Sequence, residues 1–406
     1  MKNSLAFNII TKPTGPICNL DCTYCFYLEK EKLYQQNENW RMNDNILEEY
    51  IKQYISAQAV NEITFVWQGG EPTLLGVEFF QKAVELQIKY ANGKTVFNSF
   101  QTNGILLNDE WGKFLSENNF LVGISIDGPK EIHNKFRKLK GGQDSFDQVM
   151  KGILLLKKYN VEFNTLSCVH RDNSYKALEV YNFLKEIDSR FMQFIPIIER
   201  QSIHQNNNKL NLISPEYSGE AVVTDWSVES LQYGKFLSEI FDEWIKEDVG
   251  SYFVQIFDLA LESWLGQQSS LCIFRETCGN ALAIEHNGDL YSCDHYVYPE
   301  NKLGNIMSDL LSNMVDSGKQ TKFGLDKKMN LPNYCKNCEY LFACNGECPK
   351  HRFIKTPDGE NNLNYLCSGY KYFFSHIDPY MNFMANELIN KRPPANVMHW
   401  IKSNKI

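Results

Sequence analysis

Near the start of the chain, Cys18-Asn-Leu-Asp-Cys22-Thr-Tyr-Cys25-Phe-Tyr27 places three thiols at spacings of four and three residues, and no other stretch restricts the possible folds as tightly. Pro13, Gly15 and Pro16 stand just before it and break any helix there, so the cysteines sit on a loop after an extended run over residues 5–11. Such a loop is a cage, not a core. Three thiolates hold three irons of a cubane cluster and leave the fourth open, by the logic that keeps one position of a catalytic metal site free. An open iron binds a ligand. The alternative is a zinc knuckle or three buried thiols, but no fourth Cys or His lies nearby and Tyr24, Phe26 and Tyr27 crowd the loop.

Beyond the loop, β-branched and aromatic runs alternate with amphipathic stretches. The pattern predicts strands over 5–11, 62–67, 95–101, 121–127, 161–169 and 191–197, with helices over 43–56, 76–90, 108–117, 145–159 and 174–187 between them. Six strand–helix units imply a parallel sheet covered by helices. A partial barrel and a doubly wound open sheet both fit that count. A polar excursion over 201–225, with Asn206-Asn207-Asn208, and helical segments over 229–246 and 251–264 lead to the C-terminal region.

Cysteine usage then separates two regions. Of twelve cysteines, three are in the loop, Cys168 is alone and eight lie between Cys272 and Cys367. Cys272, Cys278 and Cys293 flank a hairpin signal, Asn287-Gly288-Asp289, and Cys335-x2-Cys338-x5-Cys344-x3-Cys348 follows before Cys367. In a chain of 406 residues that is 43% hydrophobic, disulfide stapling is unnecessary, and metal is the expected use of so many thiols. Three, four, four and one account for all twelve, as one open cluster, two closed ones and a spare thiol; tetrathiolate zinc fits the closed sites equally well. A net charge of −8 without a dense Lys/Arg tract argues against nucleic acid. The start lacks a signal-peptide run and no apolar stretch is long enough to span a bilayer, so a cytoplasmic protein without membrane attachment is expected.

Cys-x3-Cys-x2-Cys with Tyr24 before the third cysteine resembles the cluster motif of the radical S-adenosylmethionine enzymes. That resemblance implies a partial (β/α)6 barrel over residues 1–230, a helical bridge over 231–270 and, over 271–406, the cysteine-rich SPASM extension with two auxiliary clusters. It implies that Cys18, Cys22 and Cys25 hold a 4Fe–4S cluster whose open iron chelates S-adenosylmethionine. By the same resemblance Tyr24 lies at the cofactor, Gly70 of Gly69-Gly70-Glu71 receives its amino group, Ser125 meets its methionine part, Asp127 approaches its ribose, Arg137 pairs with its carboxylate and Ile198 packs on its adenine. Cys272, Cys278, Cys293 and Cys348 would hold one auxiliary 4Fe–4S cluster, and Cys335, Cys338, Cys344 and Cys367 the other.

The match to 113–123 and 127–134 in particular is similar to the anaerobic sulfatase-maturating enzymes from end to end. The resemblance implies oxidation of a Cys or Ser side chain, in an unfolded sulfatase polypeptide with a Cys/Ser-x-Pro-x-Arg sequence, to Cα-formylglycine. In it a 5′-deoxyadenosyl radical takes the β-hydrogen, Asp294 is the general base and an auxiliary cluster takes the electron. Tyr27 and Gln68 would line the same cavity, and an electron donor such as flavodoxin or ferredoxin would feed the first cluster. Two other readings stand at this point: another SPASM-type peptide modifier forming thioethers or cross-links, and a non-catalytic iron–sulfur or zinc protein. The first usually carries an added recognition domain, and none precedes Cys18; the second has no use for an open cluster.

Overall fold

In the computed structural model, which describes residues 6–34, 39–203 and 211–404, strand and helix alternate through the first half of the chain. The strands are β1 (Asn8–Lys12), β2 (Glu62–Trp67), β3 (Thr95–Thr102), β4 (Leu121–Ser125), β5 (Phe163–Val169) and β6 (Phe191–Pro196). They pair in chain order, all parallel, as strands joined by helical crossovers do. The helices are α1 (Asp44–Ala57), α2 (Val77–Tyr90), α3 (Asp109–Glu117), α4 (Lys130–Phe136), α5 (Phe146–Lys158) and α6 (Ala177–Glu186). The first strand ends one residue later than expected, and Leu5 lies outside the described residues.

Local chemistry explains the boundaries. Asn43 and Asn108 accept from the backbone N–H of Ile46 and Trp111, capping α1 and α3. Ile46, Leu47, Tyr50, Ile51, Tyr54 and Ile55 form one buried face of α1, at the spacing of a helix laid on a sheet. Phe65 and Trp67 of β2 are fully buried against that face, and each such side chain contributes roughly 1.5–3 kcal/mol. The short helix α4 was not expected; Pro129 starts it, and seven residues are too few for a clear periodicity.

Where a polar excursion was expected, β7 (Arg200–Ser202) and β8 (Ala221–Val223) form a two-stranded sheet; Asn206-Asn207-Asn208 lie outside the described residues. Helices α7 (Ser230–Glu247) and α8 (Gln255–Trp264) follow, with β9 (Phe253–Val254) adding to β6. The predicted hairpin is present as β10 (Ala281–Glu285) and β11 (Asp289–Tyr291), turned at Gly288 with φ +85°, and β12 (Lys302–Asn305) pairs with β11. Its first strand lies parallel to β1, residue for residue from Asn8 opposite Ala281 to Lys12 opposite Glu285. One ten-stranded sheet therefore runs from β12 through the barrel strands to β9. A helix at Cys367–Ile389 packs on α7. No helix among the described residues is long and apolar enough to cross a membrane.

Candidate active site

The cysteine loop follows the carboxyl end of β1, the end of a parallel barrel where loop residues converge. Backbone pairing pins it: Asp21 N donates to Lys138 O at 2.8 Å and Thr23 N to Phe136 O at 3.1 Å, both just past α4 or at its end. Gly70 fixes it from the other side, because Gly70 N donates to Gly15 O at 2.8 Å and a Cβ at Gly70 would fall 2.0 Å from Ile17 O. Only glycine fits there. Glu71, which completes the Gly-Gly-Glu segment, is buried and accepts from Thr73 N, Thr73 Oγ1, Thr102 Oγ1 and Asn103 N at 2.7–3.0 Å. Its carboxylate thus ties the end of β2 to the end of β3.

Cys18, Cys22 and Cys25 gather in an apolar nest with Leu20, Tyr24, Cys168 and Ile197. Burial pushes the Cys18 thiol up to about 12, and raises Cys22 and Cys25 as well. Three thiols too poorly solvated to ionise alone suit a bound cation, which would deprotonate them. Beneath the nest, Asp127 takes the Tyr24 hydroxyl on Oδ2 at 2.5 Å and Cys168 N on Oδ1 at 3.0 Å, with Arg137 Nε 3.0 Å from Oδ2. Arg137, expected at the cofactor carboxylate, has Asp127 as its charged partner here, and also donates to Cys168 Sγ at 3.6 Å. Asp127, expected near the ribose, has both oxygens engaged. Ser125, at the end of β4, accepts from Gln101 Nε2 at 3.0 Å.

Ile198 is buried just past β6 and lines a small cavity. Phe26, Tyr298 and Phe353 supply its aromatic walls, and His295 faces it from the residue after Asp294. An ion pair, Lys350 Nζ to Glu199 Oε1 at 2.5 Å, crosses it. Asp294 itself meets Lys12, the last residue of β1, at 2.5 Å. Burial alone would raise the Asp294 carboxyl, but Lys12 holds it below the usual carboxylate range. The Lys12 ammonium also lies 4.1 Å from the centre of the Tyr27 ring, and Tyr27 donates its hydroxyl to the buried Glu285.

All twelve cysteines are free thiols. Among the described residues no three His, Cys, Asp or Glu side chains converge as ligands of a single ion would. The C-terminal thiols form two looser groups. Cys335, Cys338, Cys344 and Cys367 line one small cavity. Cys293 is raised by burial and then by the charges of Cys348 and Cys272; Cys278 is raised to about 11, by burial first and with a contribution from Cys272.

Residues 13–184 match the Radical SAM superfamily and residues 272–339 the SPASM iron–sulfur cluster-binding domain. The serine-type anaerobic sulfatase-maturating enzyme of Bacteroides thetaiotaomicron is 50% identical over 398 residues, 98% of this chain and 96% of that one. The chain belongs to the anaerobic sulfatase-maturating enzymes. The cysteine-type enzyme of Clostridium perfringens is 37% identical over 94% of this chain and 99% of its own. A solved structure, native anSMEcpe with bound AdoMet and Cp18Cys peptide, superposes with a TM-score of 0.82 at 36% identity, covering 95% of this chain and 100% of that chain.

As a member of that family, this maturating enzyme works with S-adenosylmethionine, the 4Fe–4S cluster that binds it and auxiliary iron–sulfur clusters. Sequence reasoning missed Lys12 and Glu285. Lys12 closes the first strand directly before the cysteine loop, where a barrel strand delivers its last side chain to the mouth, but nothing in that position tells a buried lysine from a solvated one.

Proposed function

We propose that this enzyme, in the cytoplasm, converts a Ser or Cys of an unfolded sulfatase polypeptide, within a Cys/Ser-x-Pro-x-Arg sequence, to Cα-formylglycine. The observation that supports it best is a half-buried, Lys12-paired carboxylate next to Cys293, with His295 beside it facing a cavity whose other wall is Ile198. When bound, S-adenosylmethionine and its cluster supply a 5′-deoxyadenosyl radical for the β-hydrogen, and an auxiliary cluster supplies the sink for one electron.

The chain's residues do the rest. Cys18, Cys22 and Cys25 would hold the cofactor's cluster. Cys272, Cys278, Cys293 and Cys348 would hold one auxiliary cluster, and Cys335, Cys338, Cys344 and Cys367 the other. Gly70, Ser125 and Ile198 border the cofactor, while Tyr24 and Arg137 brace the loop from beneath through Asp127. Asp294, ionised beside Lys12, takes the hydroxyl or thiol proton. Hydrogen atom, proton and electron together leave an aldehyde from Ser, and from Cys a thioaldehyde that water hydrolyses. A carboxylate is a weak base for either group in water, but a radical on the adjacent carbon acidifies the proton and a closed site removes the cost of encounter. A small carrier such as flavodoxin or ferredoxin would reduce the first cluster.

The test is anaerobic incubation of the reconstituted, reduced enzyme with S-adenosylmethionine and Ser- and Cys-containing peptides, read by mass spectrometry and by 5′-deoxyadenosine release. Formylglycine formed in step with 5′-deoxyadenosine is expected from at least one peptide. Cofactor cleavage with both peptides unchanged would refute the proposal.

A further inference from the structure

The stretch from Cys344 to Cys348 supplies one cysteine to each proposed auxiliary site, and its backbone is strained. Asn345, Gly346 and Glu347 have φ of +47°, +69° and +49°, three successive left-handed residues of which two carry side chains that disfavour that conformation. Arg352 holds them. Its Nε donates to Gly346 O at 2.8 Å, and its Nη2 to Asn345 O at 2.9 Å and Glu347 O at 3.0 Å. Its Nη1 reaches Lys327 O at 2.5 Å, while Lys327 Nζ donates to Cys272 O and Ile273 O, each at 2.7 Å.

Both cations are buried, Arg352 at 8% exposure and Lys327 at 1%. Every partner named above is a backbone carbonyl, and among the described residues neither cation forms an ion pair with an Asp or Glu. Glu347, whose charge acts on Arg352, is turned to His351 and to Asn364 Nδ2. Two buried charges without a carboxylate partner are costly unless another negative group offsets them. Beside Glu347 at Arg352, the negative groups that bear on them are thiols: Cys348, Cys278 and Cys272 at Lys327, and Cys348, Cys344 and Cys335 at Arg352. Lys327 thus faces one set of four, and Arg352 stands between the two sets.

We propose that Lys327 and Arg352 form a cationic bridge between the two auxiliary sites that raises the reduction potentials of the clusters held there. The proposal rests on the ligand sets assigned above. A tetrathiolate 4Fe–4S cluster is anionic and gains one further negative charge on reduction, so a fixed cation beside it favours the reduced form; such neighbouring groups tune cluster potentials. The bridge favours transfer of the substrate's single electron to the Cys272 set and a second step to the Cys335 set. Lys327 and Arg352 are positioning residues, since neither touches the reacting atoms.

The experiment is an EPR-monitored redox titration of the reconstituted enzyme without substrate, with iron quantified in parallel. Cys272→Ala and Cys335→Ala variants identify which signal belongs to which site. Lys327→Met should retain iron and lower the potential of the signal that Cys272→Ala abolishes, and Lys327→Arg should restore it. Arg352→Gln should lower both signals. Unshifted potentials in Lys327→Met with full iron overturn the proposal, and so does a shift confined to the other signal. Iron loss in both Lys327 variants shows a purely structural role and overturns it too. Because no peptide is present, potentials that shift as expected uphold the bridge even where the peptide assay refutes formylglycine formation.

Discussion

The 2.5 Å contact between Lys12 and Asp294 fixes where a proton can go. Asp294→Asn should leave iron content and 5′-deoxyadenosine release near those of the unaltered enzyme while slowing formylglycine formation by about 10²–10⁴, the usual worth of a general base; product formed at the normal rate removes Asp294 from that role. Lys12→Met leaves a half-buried carboxylate without its cation, a loss that costs roughly 3–5 kcal/mol in buried pairs. The double variant Lys12→Met/Asp294→Asn should therefore melt at a higher temperature than Lys12→Met alone, and an equal or lower Tm would show that the two are not coupled. Asp294, beside Cys293, was singled out through the family resemblance, since read alone it is an ordinary hairpin aspartate. Lys12 was not, because a lone lysine at a strand end reads as solvated; what buries it is the pairing of β1 with a strand far along the chain. The pairing of Arg137 with Asp127 was not legible either, since nothing local tells a guanidinium that Asp127 will be turned inward.

At the scale of elements, the contact between α7 and the Cys367–Ile389 helix decides whether Cys367 reaches its site. Gly234 and Gly369 let the two backbones meet: a Cβ at Gly369 would lie 2.0 Å from Ser230 O, and one at Gly234 2.3 Å from Gly369 O. Gly234→Val should push the helix away and cost about four of about twelve irons, with 5′-deoxyadenosine release retained; a full iron complement would show that the packing tolerates the side chain. The same pair of helices carries a titrating contact, His376 Nε2 to Asp242 Oδ1 at 2.6 Å. The hydrogen bond to Asp242 raises the His376 imidazole above its ordinary value against the opposing effect of burial. A raised pKa contributes stability that is fully present below the unfolded value near ~6.5 and is lost as pH rises through the folded value. The Tm difference between the unaltered enzyme and His376→Gln should thus shrink from about pH 6 to about pH 8, by less than about 1 kcal/mol because the site is half-exposed. A difference that grows with pH would contradict this. Helices long enough to show a period were legible; α4, which holds the cysteine loop in place, was not.

Across the whole molecule, the parallel order of β1 to β6 follows from alternating strand and helix signals, whereas the union of hairpin and barrel in one sheet left no local trace, because long-range pairing is written in no short window of sequence. The cysteine loop and the cysteine-rich C-terminal region were legible from spacing, whereas the division of the eight C-terminal thiols into two sets came from the family resemblance. Replacing Cys18, Cys22 and Cys25 together by Ala should abolish cofactor cleavage and keep about eight irons; loss of all iron would mean that the groups do not load independently. The union of β1 with β10 also has a history in synthesis. β1 leaves the ribosome well before the strand that covers its free side, which is complete only at residue 285. Until then a growing chain carries an unpaired edge able to capture a second chain. Chains stopped before residue 281 should accordingly self-associate instead of yielding a free barrel, and the hairpin acts as the guard of a strand made well before it.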